Sequence, residues 1–271
     1  MNHPSEMALD IEKKEYSVED HVLNGCLIVN ADDWGQDIDT TDRILKCVLA
    51  GYVSSASAMV FMKDSERAAE IARTEKVDCG LHLNLSSPFT LPNCNLKLTA
   101  HQQKIRRAVK PGLLTKSIFH PLLRESFDYV VKAQLDEFVR LYGTPVQRID
   151  GHHHMHLCAN VLAQKLLPAG VIVRRNFSFQ RGEKSYWNRW FRRQQDKRLA
   201  QHYYLTDFLF SLLPLEPESY LQKKINFAKI FRVEIETHPA NDNEYQFLMS
   251  GCLQDRAGQV EIARQYSSHQ L

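Results

Sequence analysis

Four short clusters in this sequence hold the residue types that bind metal ions and move protons. The densest has four histidines in the five positions 152–156, just behind Asp150. Read as extended chain with a period of two, Asp150, His152, His154 and His156 share one face and His153 points away. Imidazoles crowded together repel one another when protonated, and a metal ion is the usual means of holding them neutral. Not all of them can ligate one ion, and Asp150 is suited to orienting one of the rings. A second cluster sets Asp32 and Asp33 side by side after a buried apolar run, where two carboxylates require a compensating cation. Alternation along an extended segment lets one of them hold a metal while the other accepts a proton; the plainer reading is that Asp33 caps a turn before Gly35. The third cluster puts His82 and Asn84 on one face of an apolar segment, with His82 either a hydrogen-bonded core residue or a ligand. The fourth alternates Glu234, Glu236 and His238 onto one face up to Pro239, and a histidine there can protonate a leaving amine. Carboxylate plus two histidines makes a metal site with open positions. A further free carboxylate and histidine complete a hydrolytic set.

Each cluster falls at the carboxyl end of a predicted strand, where α/β folds assemble their sites. The first strand is the apolar run 25–31. A helix follows, in which Ile38, Ile44, Leu45, Val48 and Leu49 recur at helical spacing up to Gly51. Further strands are expected over 53–60, 77–85, 146–151, 171–174 and 231–237. Helices are expected over 64–74, 125–142 (stopped by Gly143 and Pro145), 160–167 and 219–230. Repeated β-α units imply a parallel sheet with both faces covered, either a barrel or a doubly wound sheet. Residues 1–24 read as an N-terminal extension, ordered only near Tyr16 and Val18, and 25–271 as one domain. The segment 181–201 sets Trp187, Trp190 and Phe191 among Lys184, Arg189, Arg192, Arg193, Lys197 and Arg198. It reads as a surface helix whose aromatic stripe packs down, or as a lid or dimer contact over the mouth of the site.

Composition narrows the function classes. The 271 residues carry 34 basic and 32 acidic side chains, a formal charge of +2, which gives no reason to expect nucleic acid or an anionic membrane as the main partner. A hydrophobic fraction of 44% in a chain of this length supports a core without staples. The six cysteines are scattered singly, with no C-x-x-C pair, which argues against a zinc finger and for a reducing compartment. No segment approaches the roughly 20 apolar residues of a membrane span, and the N-terminus lacks the apolar run of a secretory signal. A cytoplasmic location is the expectation, with a homodimer as the default assembly.

Five segments taken in order (NADDWG at 30–35, GYVSSASAMV at 51–60, GLHLNL at 80–85, RIDGHHHMH at 148–156 and HPA at 238–240) resemble the YdjC-type carbohydrate deacetylases, a group that includes chitooligosaccharide deacetylases. The resemblance implies a distorted, incomplete (β/α) barrel of the TIM-like kind, related to polysaccharide deacetylases. It further implies a hydrolase that cleaves the linear amide of an N-acetylated amino sugar or short oligosaccharide, with one divalent metal ion and a small carbohydrate as partner. Carried over residue by residue, it makes Asp33, His82 and His152 the metal ligands, Asp32 the base and His238 the acid. His152 is chosen over His154 and His156 because the family's ligand is the first histidine after an Asp-Ser/Gly pair, here Asp150 and Gly151. Asp150, His154, His156, Asn84 and Glu236 are left to orient ligands or face the substrate. Two imidazoles and one carboxylate suit zinc, cobalt or nickel by softness, whereas the family is commonly described with magnesium. The chain departs from the family at Glu236 and Thr237, where a small hydrophobic residue and a cysteine usually precede the His-Pro pair, and over 181–201. The rival readings are a non-catalytic metal- or sugar-binding relative and another metal-dependent hydrolase of the amidohydrolase or phosphoesterase type. The latter carry their histidine pair on the first strand, where this chain has Asp32 and Asp33.

Overall fold

A computed structural model describes residues 25–109, 116–179 and 183–266; the expected extension over 1–24, with Tyr16 and Val18, lies outside them, as do Arg181 and Gly182. Strands β1 (Cys26–Trp34), β2 (Ser55–Ala58), β3 (Cys79–Leu83), β4 (Arg148–Gly151), β5 (Ile172–Val173), β6 (Phe208–Ser211) and β7 (Arg232–Thr237) form one sheet. Its order is β5-β4-β3-β2-β1-β7-β6, and every pairing is parallel. The sheet curls into an incomplete barrel. No eighth strand joins its edges among the described residues. Instead the chain leaving β5 reaches β6, where Ser178 N donates to Leu209 O at 2.8 Å and Leu209 N donates to Ser178 Oγ at 3.1 Å.

The helices are α1 (Ile38–Leu49), α2 (Ser65–Glu75), α3 (Leu96–Ala108), α4 (Arg124–Tyr142), α5 (Ala159–Ala163), α6 (Tyr186–Leu199), α7 (Glu218–Phe227), α8 (Asp242–Met249) and α9 (Cys252–Ala257). The expected boundaries of α1 and α4 match their causes. Asp37 caps α1 by accepting from Thr40 N, and Gly143 ends α4 at a φ of 72°. Four elements went unread. Helix α3 buries Leu98, His101, Gln102 and Ile105, a helical stripe in which two polar members break the apolar periodicity. Strand β6 lies inside a longer apolar run with no boundary of its own, and α8 and α9 are short. Helix α5 stops at Ala163 rather than continuing to 167.

Period-two alternation sorts the strands into two faces. Leu27, Val29 and Ala31 of β1, Leu81 and Leu83 of β3, Ile149 of β4, Val173 of β5 and Val233 and Ile235 of β7 point outward into the main apolar core beneath the helices. The inward positions carry polar side chains instead: Asn30, Ser55, Ser57, His82, Arg148, Asp150, Glu234 and Glu236, all buried. A small apolar floor of Cys26, Ile28, Ala263 and Tyr266 closes the barrel below them. Gly80 belongs to this inward row because an added Cβ would stand 2.8 Å from Arg148 Cζ; the missing side chain is the space that the arginine fills.

One expectation about this architecture is overturned. Trp187 and Trp190 of α6 do not pack down, being 73% and 45% exposed. The residues that α6 buries are Asp196 and Leu199, on the opposite side of the helix.

Candidate active site

Parallel registry levels the functional residues. His82 is paired with Asp150 across β3 and β4, and Asn30 with Glu236 across β1 and β7, so the members of each pair stand at one height. The alternation expected for Asp32 and Asp33 does not hold. The β1–β2 register shifts between Ala31 and Trp34, and Asp33 takes a φ of 72°, a left-handed conformation that Asp tolerates better than most residues. This bulge turns both carboxylates toward one histidine. His82 Nε2 lies 3.3 Å from Asp33 Oδ1 and 4.0 Å from Asp32 Oδ2.

The histidine cluster departs from the extended reading as well. After Gly151 the chain enters a 3-10 turn over His152–Leu157, with His153 and His154 both at a φ of 54°, and the four imidazoles fan out. His152 Nδ1 reaches Asp33 Oδ1 at 3.0 Å. His153 contacts Ser86 Oγ through Nδ1 at 3.0 Å. His154 packs edge-on against Phe177 and brings Nε2 to 3.4 Å from Glu236 Oε2. His156 turns inward, and its Nε2 donates to Arg174 O at 2.8 Å. Asn84 is buried away from the cluster, where Oδ1 accepts from Ser86 N and Ser87 N and caps that turn.

Among the described residues three overlapping groups bring potential ligand atoms within 4.8 Å of one another: Asp33 with His82 and His152, Asp32 with His82 and Asp150, and Asp32 with Glu236 and His238. Hydrogen bonding separates them. Arg174, at the end of β5, grips Asp32 with Nη1 at 2.6 Å from Oδ2 and Nη2 at 2.7 Å from Oδ1. It also reaches Glu236 at 3.0 Å, Glu234 at 2.7 Å and Asp150 at 3.1 Å. The charges of Asp32 and Asp150 are therefore answered by a resident cation, whereas Asp33 is paired only with the two imidazoles among the described residues.

His82 settles which atoms are free to ligate. A carboxylate only accepts, so Nδ1 of His82 donates to Asp150 Oδ1 at 2.7 Å. Asp150 is itself fixed by Ser57 Oγ, which donates to Oδ2 at 2.5 Å. Nε2 is left buried, with no hydrogen-bond partner, and aimed at Asp33. Burial alone would drain the charge from this ring, but Asp32, Asp150 and Asp33 together lift it well above the ordinary imidazole value. The carboxylates that favour a proton on Nε2 would equally favour a divalent ion in the proton's place. Donor atoms about 2.1 Å from a shared ion stand about 3.0–3.4 Å apart, depending on the angle between them. The 3.3 and 3.0 Å separations from Asp33 Oδ1 fit that requirement, so the residues present suit a divalent ion.

Around this centre the remaining groups are differently poised. Burial would raise the Asp33 carboxyl, but the hydrogen bond from His152 and the charge of the neighbouring His82 ring overcome it and hold the group well below the carboxylate range. Burial, then the charge of Asp32, push Glu236 up to about 8, against the pull of Arg174 and His238. His238 stands at the mouth, its Nε2 3.9 Å from both Asp32 Oδ2 and Glu236 Oε1. Burial lowers it, yet Asp32, Glu236 and Asp33 raise it above the usual imidazole value, and its backbone N–H is anchored on Glu244 Oε2 at 2.9 Å. Arg174 and Arg148, with Asn30 and Ser57 between them, are the functional residues that the sequence reading left unassigned. Its signal was present, since two adjacent buried carboxylates demanded a cation and an arginine stands at the end of a predicted strand.

His156 yields a stability prediction. Burial, only partly offset by its bond to Arg174 O, lowers its pKa to about 4. The native state therefore refuses a proton that the unfolded chain takes up near pH 6.5. The stability this neutral ring supports is fully present above that pH and is lost as pH falls toward 4, by roughly 3 kcal/mol. His156→Gln keeps a donor for Arg174 O but cannot titrate. Urea unfolding from pH 7 to 4 should show wild type losing roughly 3 kcal/mol more than the variant, and superimposable pH slopes would refute the assignment.

Fold and site together define a class: an open parallel α/β barrel whose strand ends carry a carboxylate–imidazole centre suited to a divalent ion. The chain belongs to the YdjC-like protein family, whose model matches residues 26–268. It is 31% identical over 153 residues to a carbohydrate deacetylase of Mus musculus, covering 54% of this chain and 48% of that protein. It is 30% identical over 158 residues to a chitooligosaccharide deacetylase of Proteus mirabilis, covering 54% and 58%. These two matches thus span about half the length of the relatives. A carbohydrate deacetylase of Brevibacillus brevis is 29% identical over 245 residues, 87% of this chain and 90% of that protein. Among solved structures, one described as a cellobiose-phosphate cleavage protein of Enterococcus faecalis V583 superposes with a TM-score of 0.65 at 19% identity, covering 92% of this chain and all of that one; at that identity the likeness is one of fold.

Proposed function

We propose that this protein is a metal-dependent hydrolase that removes an N-acetyl group from an amino sugar or short N-acetylated oligosaccharide, with residues 25–271 acting as one barrel domain. The observation that carries the reading is the meeting of Asp33, His82 and His152 beside a second carboxylate, Asp32, and a part-exposed imidazole, His238. The deacetylases among its relatives supply the reaction class. What a divalent ion held by Asp33, His82 and His152 would supply is polarisation of the acetamide carbonyl and acidification of a water molecule. Asp32 is the base that takes the water's proton. The Arg174 fork holds both its oxygens in place, so that no rotation is needed at the moment of transfer. His238 keeps a proton at Nε2 and delivers it to the sugar amine, a poor leaving group without it. Glu236, close to both Arg174 and His154, lines the approach. The donor set of one oxygen and two nitrogens favours zinc, cobalt or nickel over magnesium.

Acetate release from N-acetylglucosamine oligomers, measured before and after chelation and after return of zinc or magnesium, tests the reading. Expected is loss of at least about a hundredfold on chelation, with recovery on metal return. Oligomer binding without acetate release, in protein loaded with either metal, would identify a non-catalytic relative instead.

A further inference from the structure

Helix α6 is oriented the wrong way round for a helix that belongs to the core. Its outward side carries Tyr186 and Trp187, 67% and 73% exposed, followed one turn later by Trp190 at 45%. The three rings already pack on one another, Tyr186 to Trp187 at 5.9 Å and Trp187 to Trp190 at 6.0 Å between centroids. They form a preassembled aromatic crest facing solvent. Beyond them along the same helix Arg193, Lys197 and Arg198 are exposed. The helix holds five basic side chains and a single carboxylate, Asp196, and that carboxylate is buried, 3.0 Å from Arg175 and accepting from Asn176 N and Nδ2. What α6 presents to the outside is therefore aromatic and cationic, a local patch concealed by the near-neutral total.

The cleft on the inner side of α6 leads to a second exposed apolar stretch. Arg192 of α6 and Lys116 and Ser117 line one cleft with His154 and Phe177, and the chain leaving Ser117 continues into Ile118, Phe119 and Leu122, which are 56%, 37% and 98% exposed. Exposed aromatic rings and basic side chains gathered on one face of a helix mark a docking surface. A second copy of this chain fits poorly, because a two-fold contact would set this cationic helix against its own like. A nucleic-acid strand is gripped by a groove with stacking platforms, whereas these rings crown a convex helix. An anionic bilayer matches these features: Trp and Tyr rings settle at headgroup depth while arginine and lysine meet lipid phosphates. No helix among the described residues is long and apolar enough to cross a membrane, so the contact is peripheral.

We propose that the outward aromatic and cationic face of α6 docks this protein on anionic phospholipid surfaces. The inference is independent of the deacetylase reading, because vesicle binding is measured without any turnover. The full chain is mixed with vesicles of phosphatidylcholine alone or with added phosphatidylglycerol, and binding is followed by flotation and by the blue shift of tryptophan emission. Binding to the anionic vesicles should exceed binding to neutral ones by at least about tenfold and weaken in high salt. The double variant Trp187→Ala/Trp190→Ala should lose about tenfold in partitioning, and Lys197→Glu/Arg198→Glu a similar factor, with unchanged thermal melts because all four side chains face solvent. Unaltered partitioning in both folded variants, or equal binding to neutral vesicles, overturns the proposal. So does a chain that ignores vesicles but dimerises through Trp187 and Trp190 or retains single-stranded oligonucleotide.

Discussion

Asp33→Asn should leave the fold intact while abolishing retention of a divalent ion and lowering acetate release by on the order of a thousandfold or more. Asparagine is the informative substitution because Asp33 sits at a φ of 72°, where asparagine is nearly as comfortable as aspartate and alanine is strained. The variant therefore removes the charge and keeps the bulge. What remains is two imidazoles, His82 Nε2 and His152 Nδ1, formerly 3.3 and 3.0 Å from the same carboxylate oxygen, and two neutral donors hold a divalent ion far more weakly than two donors plus an anion. Asp150→Asn makes the graded comparison. It weakens the acceptor that orients His82 through Nδ1 without removing a ligand, so ion affinity should fall by about 10–100-fold rather than vanish. Metal content by mass spectrometry and affinity by calorimetry read both variants directly. An Asp33→Asn protein that keeps a stoichiometric ion and full activity would dismantle the proposed centre.

How much of this site could be read from sequence depends on whether the backbone stays regular. His82 and Asp150 lie where alternation along buried strands puts them, and parallel pairing does the rest; Glu234 and Glu236 alternate inward for the same reason. The inward polar row was legible in part, because apolar and polar positions alternate through most of β7 and around His82 of β3, whereas β1 starts as a continuous apolar run before Asn30 and Asp32. Legibility failed where single residues leave the regular backbone. One left-handed aspartate turns Asp33 beside Asp32 instead of opposite it, and two left-handed histidines in succession scatter an apparently shared face. Nothing in Asp33, His153 or His154 as residue types announces that choice, which the packing around β1 and the turn after Gly151 enforces. The need for a cation near Asp32 and Asp33 was visible, but its division was not: the resident arginine stands just past the end of β5, separated from Asp32 by 142 positions. Helix α6 failed for another reason. An aromatic stripe predicts burial against something, and sequence leaves open whether that lies within the chain or outside it, as the two readings of 181–201 did.

Arg174→Met is expected to be the most destabilising single change in the barrel. The guanidinium has five N–H bonds, and carboxylate oxygens stand before all of its nitrogens: Glu234 at Nε, Asp32 and Glu236 at Nη1, Asp32 and Asp150 at Nη2. Burial works against this cation, but the four acids outweigh it and hold it charged. Removing it leaves those carboxylates buried beside one another, and breaking a buried ion pair on one side costs about 3–5 kcal/mol. The alternative of a merely decorative arginine predicts a loss well under 1 kcal/mol, as surface pairs do. The pH dependence separates the two. Without the guanidinium, the folded-state pKa of the buried acids rises above the unfolded value, so the native state favours their protonated form and stability falls as pH climbs from about 4 through the raised values. The deficit against wild type should therefore be largest at neutral pH and shrink as pH falls toward 4. Arg174→Lys, which offers three donors from one point and cannot grip both oxygens of Asp32, is the variant expected to remain folded at neutral pH. Its deficit should be roughly 1–3 kcal/mol, with acetate release reduced more than binding because Asp32 is no longer held for proton transfer. Urea unfolding of both variants across pH, set beside kcat and KM for the lysine form, gives the answer. A methionine variant as stable as wild type at pH 7 would mean that something other than Arg174 balances the four acids.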